Sequence, residues 1–190
     1  MKIAFVPGAA DLTLKVDPAM AEPYKLSFDG VLPEVRPVID EVVVDFPRSF
    51  HIGDRRHGGQ IVLNAATPWA VEVQGRTARV DADLRELWLA GLDLQGGVEH
   101  VHVDLPEPHG RVPVRVAGGA ADLTFRRPAG VPVRLAVAGG STRLTVGGQH
   151  FATAPPMYVF TDPGFEESED RYDILIAGGT DALTLVYSGS

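Results

Sequence analysis

At 190 residues the chain is long enough for one domain with a sizeable core and too short for two large independent ones. Hydrophobic residues make up 45% of it and charged residues 22%, the balance of a globular protein rather than of a disordered chain. The formal net charge of −8 repels phosphate backbones and argues against nucleic-acid binding, while the absence of cysteine removes disulfides, thiolate nucleophiles and thiolate metal ligands together.

From the N-terminus, Met1-Lys2-Ile3-Ala4-Phe5-Val6-Pro7-Gly8 has too short an apolar stretch for a signal segment. No later run approaches the roughly 20 apolar residues that span a bilayer. The expectation is a soluble, cytoplasmic protein with no membrane span. Residues 16–60 hold two strand-like runs, Tyr24-Lys25-Leu26-Ser27-Phe28 and Val42-Val43-Val44-Asp45-Phe46, separated by Pro33, Pro37 and Pro47. They read as less regular β-structure continuous with the core. His51, Arg55, Arg56 and His57 form a local basic cluster that reads as a solvated loop.

From residue 61 the chain is organised by a block of about twenty-one residues: two apolar residues at alternate positions, a glycine turn, then two more. The first pairs are Val71 and Val73, Leu92 and Leu94, Val114 and Val116, Leu135 and Val137, Ile174 and Ile176. The second are Val80 and Ala82, Val101 and Val103, Leu123 and Phe125, Leu144 and Val146, Leu183 and Leu185. The first glycines fall at 75, 96, 118, 139 and 178, so the last step, 39, holds an insertion. A sixth copy opens the chain, because Gly8-Ala9-Ala10-Asp11-Leu12-Thr13 repeats Gly119-Ala120-Ala121-Asp122-Leu123-Thr124.

Period-two alternation marks strands with one buried face, and two all-β architectures accommodate the block. In an antiparallel β-sandwich each Gly-Gly is a hairpin turn. In a β-solenoid, or parallel β-helix, each block is one coil and equivalent strands stack about 4.8 Å apart. The solenoid is favoured by its outward rows, which mostly avoid like charges: Arg79, His100, Asp122, Arg143, and then Asp81, His102, Thr124, Thr145. Glu72 beside Asp93 in the row Glu72, Asp93, Arg115 is the exception. The glycines of Gly118-Gly119 and Gly139-Gly140 are expected to supply positive φ, and Val116, Leu123, Val137 and Leu144 to be buried with successive coils in contact.

These blocks, with Arg171-Tyr172-Asp173-Ile174 before the last, resemble the bacterial putative-adhesin family of uncharacterised repeat proteins. The resemblance is clearest over residues 61–187 and implies a β-helix. It implies no activity and no site residues.

Residues 147–171 interrupt the blocks with Pro155-Pro156, Pro163-Gly164 and the acidic run Glu166-Glu167-Ser168-Glu169-Asp170. With Asp162 nearby, Glu166, Glu167, Glu169 and Asp170 are candidate oxygen ligands for calcium, although no EF-hand spacing is present. The competing reading is a solvated acidic surface. His100, His102 and Asp104 share one strand face and, with Glu107 beyond, are similar to the first cupin motif, a set suited to a divalent transition metal. The glycine spacings of that motif and its second half are missing. Sister blocks hold Asp122 and Thr124, or Arg143 and Thr145, at the two histidine positions, which favours outward ladder residues.

No G-x-S-x-G elbow, Walker A loop or dinucleotide fingerprint occurs, so no catalytic residue and no cofactor is assigned. Trp69 and Trp88 read as core or corner residues rather than sugar-stacking platforms. The expectation is a single all-β domain over 1–190, with repeat coils at 61–146 and 172–187, acting as a non-enzymatic interaction or scaffold module. A metal-dependent protein using His100 and His102 is the alternative, and a carbohydrate-binding module a further one. The expected partner is a protein or a second copy, most simply in a two-fold dimer, because copies at both chain ends leave little sequence to cap a stack.

Overall fold

Alternating apolar residues become strands throughout the computed structural model, which describes residues 1–6, 11–30, 32–46 and 58–188. The Gly8-Ala9-Ala10 turn and the cluster of His51, Arg55, Arg56 and His57 lie outside the described residues. The N-terminal third forms β1 (Lys2–Val6), β2 (Asp11–Asp17), β3 (Tyr24–Phe28), β4 (Glu34–Val38), β5 (Glu41–Asp45) and β6 (Gly58–Asn64). Four glycine-turn blocks follow. They form β7 (Trp69–Val73) with β8 (Thr77–Asp83), β9 (Leu89–Leu94) with β10 (Val98–Asp104), β11 (Arg111–Val116) with β12 (Ala120–Arg127), and β13 (Val133–Val137) with β14 (Ser141–Val146). The insertion supplies β15 (Gln149–Phe151) and β16 (Tyr158–Thr161), and the last block β17 (Arg171–Ile176) and β18 (Thr180–Tyr187).

The protein is all-β, with no helix among the described residues and two nine-stranded mixed sheets. The first sheet runs β16-β13-β17-β11-β9-β7-β1-β5-β4 and the second β15-β14-β18-β12-β10-β8-β2-β6-β3. Inner strands pair in parallel, and only the four edge strands pair antiparallel. Each glycine turn carries the chain from one sheet to the other, so the strands flanking it do not form a hairpin. The aligned apolar positions are register partners. Leu12 lies beside Val80, Val80 beside Val101, Val101 beside Leu123, Leu123 beside Leu183 and Leu183 beside Leu144.

Spatial order departs from chain order at both ends of the stack. The last block, β17 and β18, inserts between β11–β12 and β13–β14, and β1–β2 inserts between β5–β6 and β7–β8. Leu123 and Leu144 are therefore separated by Leu183, and Asp122 and Arg143 by Ala182, so neither pair touches as chain order would have it. The expected shortage of caps is also corrected: the first and last copies are internal. β3 and β4 close one end and β15 and β16 the other. Residues 41–46 and 58–64 are more regular than expected, since Val42 and Val44 continue the row of Ile3 and Phe5, and Ile61 continues that of Leu14.

The core fills the space between the sheets. Val116, Leu123, Val137 and Leu144 are buried as expected, with Trp69 and Tyr172 the largest fully buried side chains. Trp69 Nε1 donates to Asn64 O at 3.1 Å and the Tyr172 hydroxyl to Pro106 O at 2.8 Å, so both polar tips are satisfied. The glycine expectation holds for Gly140, with φ of 81°, and fails for Gly118 and Gly119, neither of which is left-handed. Close packing explains Gly118. A Cβ there would lie 2.3 Å from Gly96 O, and one on Gly139 would lie 2.4 Å from the carbonyl carbon of Gly178.

The adjacency of Glu72 and Asp93 is real and is bridged. Gln95 Nε2 donates to Glu72 Oε1 at 2.7 Å and Asp93 Oδ2 at 3.2 Å, while Lys2 Nζ lies 2.5 Å from Glu72 Oε2 and 3.2 Å from Glu41 Oε1. Burial alone would raise the Glu72 pKa, but the hydrogen bonds from Lys2, Gln74 and Gln95 outweigh it and hold the carboxyl below its ordinary range.

Candidate functional site

Alternation along β10 puts His100 and His102 on the outer face of the second sheet, where parallel register sets His100 between Arg79 and Asp122 and His102 between Asp81 and Thr124. Each imidazole has a separate carboxylate partner. His100 Nδ1 lies 3.1 Å from Asp122 Oδ2 on the neighbouring strand, and His102 Nε2 lies 3.5 Å from Asp104 Oδ2 on its own. Asp104 also faces Arg126 at 3.8 Å. The three candidate ligands share a face but do not converge on one point. Among the described residues no group of three or more histidines and carboxylates is placed to hold a metal ion.

The acidic loop is pinned from within. Arg171 Nη1 donates to the backbone carbonyls of Phe165, Glu166 and Ser168. Phe165 is buried between two guanidiniums, with Arg171 at 5.1 Å and Arg134 at 5.2 Å from its ring centroid. Asp170 Oδ1 accepts from Gly110 N at 2.6 Å, and Glu166 lies 3.8 Å from Arg134. Glu167 and Glu169 are solvent-exposed. Asp162 turns the other way, to buried Arg127 at 2.7 Å. Glu166, Asp170 and Asp162 thus serve three different partners.

Beside this loop Asp173 is gripped by Arg134, whose Nε and Nη2 donate at 3.0 and 2.9 Å, and by Arg111. Burial by itself would raise the Asp173 pKa, and the two guanidiniums reverse this and hold the carboxyl below its ordinary 3.8. Sequence reasoning missed this triad. Its signal, an outward Asp with Arg134 directly opposite on one neighbouring strand and Arg111 reaching it diagonally from beside Pro113 on the other, appears only once the last block is placed between β11 and β13.

The two tryptophans separate. Trp69 is core, whereas Trp88 sits at a corner, 44% exposed, with its ring centroid 5.1 Å from that of His109.

The fold is thus a two-sheet, all-β stack of parallel strands with antiparallel edges. It is shared with a solved protein: the crystal structure of a putative cell adhesion protein from Clostridium sporogenes superposes with a TM-score of 0.77 at 18% identity, covering 98% of this chain and 92% of that one. No protein-family model matches the sequence, and no curated protein matches it either.

Proposed function

We propose that the chain is a β-solenoid acting as a non-enzymatic interaction or scaffold module. One observation carries this reading: many outward charged side chains are engaged pairwise by side chains of adjacent strands, and among the described residues no histidine and carboxylate set converges as a metal site would. His100 with Asp122, Lys2 with Glu72 and Glu41, and Arg111 and Arg134 with Asp173 are all contacts between adjacent strands. The solenoid reading is supported by the parallel register of the inner strands and by the alternation of successive strands between two sheets. The likeness to a protein described as a cell adhesion protein is compatible with a role in which surface rather than turnover matters.

Metal analysis of the purified protein tests the reading. The expected result is less than stoichiometric metal and a melting curve that chelator does not move. Stoichiometric metal that is lost in His102→Ala would overturn it in favour of the metal-dependent alternative.

The exposure of Trp88 beside His109 favours a second reading, a carbohydrate-binding module in which the indole stacks on a sugar ring. Quenching of tryptophan fluorescence by soluble oligosaccharides, abolished in Trp88→Ala, is its expected signature. Unchanged fluorescence across a sugar panel removes it.

A further inference from the structure

The stack ends in four edge strands, and they are unequally protected against pairing with another chain. β4 carries Pro37, which has no N–H to donate. β15 has three residues, and β16 has four, set between Pro156 and Pro163. β3 has five, with no proline or glycine inside it and one lysine.

Among the described residues no strand pairs with the outer edge of β3, and its groups can be assigned atom by atom. Asn64 N donates to Pro23 O at 2.9 Å and Asp29 N donates to Gly58 O at 3.0 Å. Antiparallel alternation then turns the N–H and C=O groups of Lys25 and Ser27 toward β6, and those of Tyr24, Leu26 and Phe28 away from it. Pro23 falls on the β6-facing set and removes no outward donor. The side chains of Tyr24, Leu26 and Phe28 pack against the core but are only partly buried, since β3 is the last strand of its sheet. On and beside β4, the edge of the other sheet at the same end of the stack, Leu32, Val38 and Ile39 are 73%, 58% and 92% exposed.

We propose that β3 pairs antiparallel with β3 of a second copy of this chain, about a two-fold axis at Leu26. This rests on the interaction-module reading and names its partner. The register is self-complementary. The three outward-facing residues oppose one another, Tyr24 to Phe28 and Leu26 to Leu26, so every free backbone group between them gains a partner and the partly buried side chains extend the core across the junction. Lys25 falls opposite Ser27 of the other copy, which avoids the like-charge contact that a one-step shift would create. A two-fold contact closes on itself, so it yields a dimer and not a filament.

Sedimentation equilibrium from nanomolar to high micromolar concentration tests this on the full chain. The wild type should dimerise. Ser27 is exposed, so its variants should keep the wild-type melting temperature. Ser27→Lys sets lysines opposite each other twice and should weaken the dimer roughly fivefold, while Ser27→Glu should strengthen it by a similar factor, since cross-strand pairs carry this order of energy. The double variant Lys25→Glu, Ser27→Lys should recover the tighter association. A wild type monomeric throughout, or a dimer indifferent to both Ser27 variants, overturns the proposal. A protein that is monomeric and also metal-free removes the dimer and leaves the interaction-module reading standing.

Discussion

Gly118→Ala should destabilise the stack strongly, and Gly119→Ala, one residue away, should be close to neutral. A Cβ at 118 lies 2.3 Å from Gly96 O, 2.4 Å from Gly96 C and 2.6 Å from Gly97 N, all backbone atoms that no rotamer change can move. Relief to ordinary contact requires the layers to part by roughly 1 Å. The neighbouring inter-layer hydrogen bonds, Ala117 N to Leu94 O at 2.8 Å and Val98 N to Gly119 O at 3.0 Å, would then stretch beyond hydrogen-bonding range. Overpacking costs about 1–3 kcal/mol, and two weakened hydrogen bonds add ~0.5–1.5 kcal/mol each. Against this stands a gain of ~0.4–1 kcal/mol from the stiffer unfolded chain. A net loss of about 1–6 kcal/mol follows, with the melting temperature falling by roughly 2–4 °C per kcal/mol for a chain of this size. At Gly119 the nearest atom to a Cβ is Gly179 O at 3.6 Å, an ordinary contact, and the backbone is not left-handed. Differential scanning calorimetry on both variants decides the matter. A Gly118→Ala protein that melts with the wild type, or a Gly119→Ala protein that falls as far, would refute the packing explanation of the glycine pairs.

Leu144→Ala, removing a side chain 1% exposed between Leu183 and Phe151, should cost about 2–5 kcal/mol in chemical denaturation. Asp173→Asn should change how stability depends on pH. The folded-state pKa of Asp173 is depressed, so its contribution is present above the unfolded value near 3.8 and is lost as pH falls through the lower folded value. The wild-type melting temperature should therefore drop more steeply than the variant's below about pH 4, with the variant already less stable at neutral pH; parallel curves would contradict the assignment. Arg171→Ala should release the loop carbonyls it binds, and limited proteolysis should then cut residues 163–170 faster than in the wild type.

The strands and their buried faces were legible in the sequence, because alternation is a local property: Val114 and Val116 point inward whichever neighbour they meet. The five aligned pairs are register partners for the same reason. The order of the layers was not legible. The last block resembles its sisters so closely in its apolar positions that nothing local distinguishes stacking at the end from insertion between β11–β12 and β13–β14. What differs is long-range: the outward Asp173 finds Arg111 on one side and Arg134 on the other only in the inserted position. The same holds for the glycines. Their presence at the turns was plain, but whether Gly118 is needed for its φ or for the passage of a neighbouring backbone depends on a separation between layers that chain order does not contain. Likewise His100 and His102 announced a shared strand face, and only tertiary placement gave each its own carboxylate. Local pattern determined which residues are inside, whereas the pairing of distant strands decided which outward residues meet, because parallel neighbours come from different parts of the chain.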